Sequence, residues 1–170
     1  MALYQLPFDS ESDPRWKLLE VARLRLESAR DLAEIIAVVR GSARNVTSAD
    51  GVTFVLRDAN QCHYVEEDAI GPLWKGSRFP MTACISGWAM LNNKTAVIPD
   101  IFADARIPHD VYRKTFVRSL VMAPVSVASP VAAIGAYWRD KPVITEREAA
   151  AVETIARMVG EAMRRTEAAA

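Results

Sequence analysis

The chain of 170 residues has very little cysteine and histidine, two of each. Two cysteines, Cys62 and Cys84, are too few for a disulfide framework or a closed zinc site, so we expect two isolated, buried thiols. Only His63 and His109 have side chains that ordinarily titrate near neutral pH. The sequence also lacks a glycine-rich phosphate loop, a histidine pair at metal spacing and a nucleophile elbow. These absences favour a protein without catalytic or metal-binding residues.

The chain has no excess charge of either sign. It contains 21 basic and 21 acidic residues, and its formal net charge at pH 7 is zero. No dense basic run supplies a local positive field, which argues against nucleic acid or an anionic membrane as a partner. No apolar run approaches the roughly 20 residues that a membrane span needs, and the N-terminus lacks the basic start of a signal peptide. We therefore expect a cytoplasmic protein.

Helical patterns occur mainly at the two ends of the chain. Asp13 followed by Pro14 predicts a helix start, and Ser28 with Asp31 resembles a capping box that would begin a second helix. Thr145 with Glu148 is a further capping box before a long apolar stripe. We divide the chain into a flexible lead-in (1–12) and a single domain (13–166), which comprises N-terminal helices (13–45), a sheet with a pocket (51–139) and a C-terminal output helix (145–166).

Strand patterns fill the middle of the chain. Residues 51–58 alternate apolar and polar side chains, and a turn then leads into a returning strand over 62–67. Two nearly continuous apolar runs, 119–127 and 131–139, predict central strands that are covered on both faces. A short helix is predicted over 82–91, a short strand over 95–98 and a helical turn over 108–116. Hairpin-linked strands between terminal helices predict an α+β fold with an antiparallel sheet.

Four segments, in this order, resemble a GAF domain: Ser-Gly-Trp-Ala at 86–89, Val-Ile-Pro-Asp-Ile at 97–101, the core strand at 117–125 and Ile-Gly-Ala-Tyr-Trp at 134–138. The likeness covers about 31–164 and is strongest to the GAF sensory modules of bacterial sensor histidine kinases. It implies a PAS-related sheet of five or six strands, with the terminal helices on one face and a small-molecule pocket under short helices and loops on the other. It also implies homodimerisation through the terminal helices and a helical link to a kinase or another output domain.

The pocket position in this family suggests candidate ligand contacts. Aromatic and apolar side chains would form the walls, Asp100 would accept a hydrogen bond or pair with a cation, and His109 would donate one. Residues such as Trp88 and Met122 are more often plain core, Asp100 is also compatible with a cap on the following turn, and Trp74 with a surface lid or a partner anchor. The candidate residues are Trp74, Phe79, Cys84, Trp88, Ile98, Asp100, His109, Tyr112 and Met122.

Two specialised subtypes of the family can be compared residue by residue. Bilin-binding members attach the chromophore through a cysteine just before a histidine, and here Pro108 precedes His109, so covalent bilin is not expected. Non-covalent haem on His109 stays open. Free methionine sulfoxide reductases use cysteines near the short helix, where Ser86 stands here, with Cys84 two positions away. The loop over 103–106 supplies no resolving thiol, so turnover through a disulfide is not expected.

Three functions are therefore compared. The first is a non-enzymatic sensory domain that binds an unidentified small ligand and regulates a histidine kinase or similar output by rearranging dimer helices. The second is an interaction or dimerisation module whose pocket is filled by its own side chains, and the loop over 69–80 discriminates these two. The third, and weakest, is a small redox enzyme.

Overall fold

The computed structural model describes residues 12–125 and 129–169, with the backbone alone for 168 and 169. The predicted lead-in at 1–11 and the end of the strand predicted over 119–127 lie outside the described residues. The helices are α1 (Arg15–Ser28), α2 (Leu32–Thr47), α3 (Ile85–Asn92), α4 (His109–Tyr112) and α5 (Glu146–Ala169). The strands are β1 (Gly51–Asp58), β2 (Gln61–Ala69), β3 (Arg78–Pro80), β4 (Ala96–Ile98), β5 (Ser119–Pro124) and β6 (Ala132–Trp138), with 3₁₀ turns at Met81–Ala83 and Ile101–Ala103.

The six strands form one sheet in the order β3-β2-β1-β6-β5-β4. Every neighbouring pair is antiparallel. The two halves of the sheet meet where β1 pairs with β6, which places the first hairpin beside the second. The α+β class and the antiparallel sheet predicted from the hairpins are confirmed.

Alternating side chains divide the sheet into two apolar layers. On β6, Ile134 and Ala136 pack with the terminal helices α1, α2 and α5, whereas Ala133 and Tyr137 pack with the short helices and loops. On β1, Phe54 faces the terminal helices and Val55 the opposite layer. Residues of both layers are almost fully buried, so the central strands are covered on both faces, as their apolar composition predicts.

The start of α2 differs from the prediction. Asp31, not Ser28, is the N-cap residue, and its carboxylate accepts a hydrogen bond from the Glu34 amide. The Ser28 hydroxyl instead donates to the carbonyls of Leu24 and Arg25 at the end of α1. Asp31 has the extended backbone that an N-cap needs, whereas Ser28 is still helical, and this decides which of the two can cap.

Strand β3 was predicted as part of an irregular loop. Its three residues pair with β2, with Cys62 opposite Phe79 and Gln61 opposite Pro80. Three residues are too few to show a period, and proline is tolerated because β3 is at the edge of the sheet. Within the described residues, no helix is both long enough and apolar enough to cross a membrane.

Helix α3 approaches the preceding 3₁₀ turn so closely that it requires glycine at position 87. A Cβ atom there would overlap the backbone carbonyl of Met81, which cannot move away as a flexible side chain could. Gly41 on α2 is the opposite case, since a Cβ atom there would meet nothing within 4 Å. Gly87 therefore fixes the position of α3 above the sheet.

The two glycines give opposite predictions for the same substitution. We expect Gly87→Ala to lower the free energy of unfolding by about 2–3 kcal/mol, because the backbone must shift to admit a methyl group. Gly41→Ala should raise it by about 0.5–1 kcal/mol, because alanine loses less backbone entropy in a helix. Urea unfolding followed by circular dichroism measures both. Equal effects of the two substitutions would contradict the close approach of α3 to Met81.

Candidate functional site

Five aromatic side chains meet on the face of the sheet opposite the terminal helices. We call Tyr64, Trp74, Phe79, Tyr112 and Tyr137 the aromatic cluster. The Trp74 ring centroid lies 4.6 Å from that of Tyr112, 5.5 Å from Tyr137 and 5.6 Å from Tyr64. Phe79 packs edge-on against Tyr64 at 5.6 Å. The indole of Trp74 therefore occupies the centre of the cluster, and these spacings are those of favourable aromatic pairs.

The floor of the cluster is the sheet itself. Tyr137 lies along β6 above Gly135, where a Cβ atom would overlap the tyrosine hydroxyl. The space left by the glycine lets that hydroxyl reach the Thr53 hydroxyl at 2.8 Å, so both buried groups are satisfied. The Gly-x-Tyr spacing at 135–137 thus places an aromatic ring flat on the sheet.

A carboxylate on β2 holds the loop that carries Trp74. Glu67 Oε2 accepts hydrogen bonds from the backbone amides of Leu73 (3.1 Å) and Trp74 (3.2 Å). Lys75 of the same loop pairs with Glu66 at 2.6 Å. Glu67 lies in an acidic run at 66–68 near the end of a strand, but its carboxylate is not simply solvated, because it fixes the loop.

The space left at the aromatic cluster is a cleft of about 10 Å³. It has room for a single water molecule. Tyr112 lines it, and the buried Tyr112 hydroxyl lacks a hydrogen-bond partner within the described residues. Trp74 therefore fills the interior of the pocket expected on this face, and it also borders a separate open groove of about 530 Å³ between the loop at 72–74 and residues 110–115. The cleft is lined by Tyr64, Trp74, Phe79, Cys84, Pro108, Val111 and Tyr112.

The predicted ligand contacts divide into three groups. Trp74, Phe79, Cys84 and Tyr112 all line the cleft. Ile98 and Met122 are fully buried in the same apolar layer and are core residues. The remaining three, Trp88, Asp100 and His109, do not line the cleft.

The three residues away from the cleft have structural partners of their own. The Arg106 guanidinium lies 4.3 Å from the centre of the Trp88 ring. Asp100 is exposed and accepts a hydrogen bond from the Phe102 amide, so it caps the following turn. His109 Nε2 lies 2.9 Å from the Ile101 carbonyl oxygen and 3.1 Å from that of Asp104, and donates to this pair of acceptors.

Both cysteines are buried, but they are not isolated. The Cys62 thiol donates a hydrogen bond to the Met81 sulfur at 3.2 Å, and the Cys84 thiol donates one to the carbonyl of the adjacent residue Pro80 at 3.4 Å. The proximity of Cys62 lowers the pKa of the Cys84 thiol, and the Ser86 hydroxyl and the Ser86 and Gly87 amides act in the same direction, against the effect of burial. The proximity of Cys84, together with burial, raises the pKa of Cys62. Within the described residues, no group of three or more histidine, cysteine or acidic side chains could hold a metal ion.

Sequence reasoning missed Tyr64, Tyr137, Glu67 and Cys62. The tyrosines occupy ordinary strand positions, and which strand face lies under a pocket cannot be seen without the fold. Cys62 and His63 are neighbours on β2, so their side chains point to opposite faces of the sheet. That orientation is what directs Cys62 into the layer beneath Cys84.

A six-stranded antiparallel sheet with terminal helices on one face and short helices and loops on the other defines an α+β domain. A family model described as "GAF domain" matches residues 29–164. The chain therefore belongs to the GAF domain family. A comparison with curated protein sequences finds no match.

Solved structures with this fold serve different roles. A free methionine-R-sulfoxide reductase from Neisseria meningitidis, in complex with its substrate, is 17% identical over 96% of this chain and 98% of its own (TM-score 0.76). The GAF domain of an Acinetobacter phosphoenolpyruvate-protein phosphotransferase is 11% identical over 93% and 98% (TM-score 0.76). The chromophore-binding domain of a bacteriophytochrome from R. palustris is 16% identical over 91% and 61% (TM-score 0.73). At these identities the likeness shows the fold alone.

The residues at the cleft do not fit two of the cofactors considered from the sequence. Pro108 lines the cleft where a bilin-attaching cysteine would stand, and about 10 Å³ is far too small for a tetrapyrrole. His109 Nε2, the nitrogen most often used for haem, is directed at two backbone carbonyls. Neither group enters the function proposed below.

Amide hydrogen exchange tests whether the hydrogen bonds of Glu67 stabilise the loop that carries Trp74. Hydrogen bonds to a charged acceptor contribute about 1.5–3 kcal/mol, so Glu67→Ala should speed exchange of the Leu73 and Trp74 amides at least about tenfold. Asp68→Ala is the matched control, because Asp68 pairs with Arg44 of α2 and not with the loop. NMR-detected exchange that is equal in both variants would contradict the role given to Glu67.

Proposed function

We propose that this chain is a cytoplasmic, non-enzymatic sensory domain that regulates an output domain, such as a bacterial sensor histidine kinase, as a homodimer. The observation that carries the proposal is the position of Trp74, a loop side chain at the centre of the face where a ligand would lie. A ligand that enters must displace the indole. Its binding would then be coupled to a change in the loop and in the rings around it.

The sheet provides a short path from the cluster to the terminal helices. Tyr137 contacts Trp74 on one face of β6, while its neighbour Trp138 packs with the helices on the other. The Trp138 indole also donates a hydrogen bond to the Ser48 carbonyl just after α2. A shift of β6 caused by movement of Trp74 would therefore reach the helix layer within two residues.

Hydrogen bonds tie the end of helix α5 to the end of helix α1. Arg165 near the end of α5 donates hydrogen bonds of 2.7 Å to the carbonyls of Leu26 and Ala29 at the end of α1. The Leu26 carbonyl also accepts a hydrogen bond from the amide of Ala29, the residue that follows α1, so the guanidinium adds a second donor to the cap of this helix. A signal that tilts α5 would carry α1 with it.

Helix α1 offers an apolar surface for a second copy of the chain. Its inner face buries Leu19, Ala22 and Leu26. A separate stripe of three large apolar side chains remains 43–56% exposed, at positions 18, 21 and 24 (Leu, Val, Leu). Spacing of three residues places them on one side of the helix. A symmetric dimer through the terminal helices would bury this stripe on both copies.

Charge on the α1 stripe should prevent dimer formation. We expect the unmodified chain to sediment as a dimer and the double variant Val21→Glu/Leu24→Glu as a folded monomer, since buried unpaired charges are costly. Val143→Glu is the control, because Val143 is 69% exposed and lies before α5. Analytical ultracentrifugation with circular dichroism measures both. A monomeric unmodified chain, or a dimeric double variant, would overturn the dimer proposal.

A second candidate is favoured by the small volume of the cleft. With about 10 Å³ left at the aromatic cluster, the domain would act as an interaction or dimerisation module whose pocket is filled by Trp74. In that case Trp74 is a core residue, and the signal would come from a partner and not from a small ligand.

Trp74→Ala distinguishes the two candidates. The variant should lose about 3–5 kcal/mol of stability and gain a cavity that binds indole, which we expect to raise its melting temperature. A thermal-shift panel of metabolites, nucleotides and tetrapyrroles is then applied to both proteins. If Trp74 is displaced by a natural ligand, some compound stabilises the unmodified chain and stabilises Trp74→Ala more strongly.

Compounds that stabilise only Trp74→Ala would instead favour the filled-pocket module. Trp88→Ala is the control for loss of an indole, because Trp88 is half-buried beside Arg106 and does not line the cleft. Indole should leave the melting temperature of that variant unchanged.

A further inference from the structure

The fold brings the two cysteines of the chain together from separate elements. Cys62 lies on β2, fully buried, and Cys84 immediately precedes α3 with 7% of its surface exposed. Cys62 Sγ lies 3.2 Å from Met81 Sδ, and Cys84 Sγ lies 3.4 Å from the carbonyl oxygen of Pro80, so both sulfurs meet the same two-residue stretch of chain. No covalent bond joins them, since both are free thiols.

The surroundings of Cys84 differ from those of an inert core cysteine. Its sulfur lies 3.3 Å from the Ser86 hydroxyl, and as a thiol it donates to the Pro80 carbonyl at 3.4 Å. Ser86 is held in turn by the Tyr64 hydroxyl at 3.0 Å. Once Cys84 has lost its proton, the Ser86 hydroxyl and the first amides of α3 can donate to the sulfur, and such donors stabilise a thiolate.

Cys84 also lines the cleft at the aromatic cluster, whereas Cys62 does not. The cleft has room for about one water-sized molecule, so it admits at most one end of hydrogen peroxide and excludes bulky peroxides and glutathione disulfide. Tyr112 lines the same cleft with a buried hydroxyl that has no partner among the described residues. An oxygen atom of a small ligand would supply that partner.

From this geometry we propose that Cys84 and Cys62 form a peroxide-sensitive dithiol, in which Cys84 is oxidised first and Cys62 closes a disulfide between β2 and the start of α3. The proposal is independent of the dimer and of the ligand discussed above. It assigns a modification site and not a catalytic one.

The chemistry needs only hydrogen peroxide as oxidant. The Cys84 thiolate attacks one peroxide oxygen, the O–O bond breaks, and the other oxygen leaves as hydroxide and takes up a proton to become water. Cys84 is now a sulfenic acid. The Cys62 sulfur then attacks the Cys84 sulfur, the S–O bond breaks, and the departing hydroxide leaves as water with the Cys62 proton. In total, two thiols and one peroxide give one disulfide and two waters.

The disulfide would tie β2 to α3 directly beneath the Trp74 site. Tyr64, two residues after Cys62, contacts Trp74 and hydrogen-bonds Ser86. Movement of the two sulfurs into bonding distance would therefore act on the aromatic cluster itself.

The test is hydrogen peroxide treatment of the intact chain, read by mass spectrometry and thiol titration after denaturation. The unmodified chain should lose both free thiols and two hydrogen atoms of mass, with a mapped Cys62–Cys84 peptide pair, and dithiothreitol should restore it. Cys62→Ala should stop at the sulfenic acid of Cys84, trapped by dimedone. Cys84→Ser, in which serine keeps an N-cap side chain, should leave Cys62 unoxidised.

Two control measurements show whether loss of the thiols reflects an internal disulfide in a folded chain. Circular dichroism establishes that each variant is folded, and non-reducing electrophoresis distinguishes an internal disulfide from one between chains.

Tyr112→Phe should slow oxidation by hydrogen peroxide severalfold while leaving the pH titration of thiolate absorbance unchanged, which separates peroxide binding from thiol activation. Cumene hydroperoxide should react more slowly than hydrogen peroxide with the unmodified chain.

Three outcomes would overturn the proposal. The first is that both thiols survive a molar excess of peroxide in the unmodified chain. The second is that Cys84→Ser is oxidised at Cys62 as fast as the unmodified chain. The third is that oxygen is added to Met81, whose sulfur lies 3.2 Å from that of Cys62, before either cysteine reacts.

Discussion

The two-sided burial of β1 and β6 is the constraint on which the rest of the molecule depends. Each central strand must supply apolar side chains alternately to a layer of long helices and to a layer of short helices and loops. Because neighbouring residues of a strand point to opposite faces, a single strand contributes side chains to both layers and connects them covalently. Tyr137 and Trp138 illustrate this, since the first lies under Trp74 and the second hydrogen-bonds Ser48 beside the terminal helices.

On the face of the sheet covered by short helices and loops, two glycines leave the space that the neighbouring elements occupy. Gly135 lets the Tyr137 ring lie on the sheet, and Gly87 lets α3 pack against Met81. The remaining space is closed by Trp74, which Glu67 holds through the loop backbone. The face on which the ligand pocket is expected is thus occupied by a side chain on a loop, and a loop costs less to move than a strand.

The thiol pair lies in the same layer and is connected to the same groups. Tyr64 contacts Trp74, its hydroxyl bonds Ser86, and Ser86 contacts the Cys84 sulfur. Because Tyr64 and Ser86 connect the two groups, a displacement of the Trp74 indole would alter the surroundings of the Cys84 sulfur, and oxidation of that sulfur would act on the indole. Sensory input by ligand and by oxidant would therefore converge on one small region of the sheet.

The sequence by itself determined the architecture, because periodicity is a local property. Alternation at 51–58, the apolar runs of β5 and β6, and the helical stripes at both ends predicted the α+β fold and the antiparallel sheet. Local spacing also suggested that Asp100 caps a turn. The same local spacing predicted the wrong N-cap for α2. Ser28 and Asp31 both have side chains that can cap a helix, and the backbone conformation determines that Asp31 is the N-cap.

Only the tertiary structure decided what the candidate site contains. Trp74, Tyr112 and Tyr137 come from a loop, a short helix and a strand, and their meeting depends on strand order and not on spacing. Whether an aromatic residue fills a pocket or lines it depends on a few ångströms of packing. The contact of Cys62 with Cys84 likewise arises because β2 and the start of α3 lie in one layer, which no pattern along the chain records.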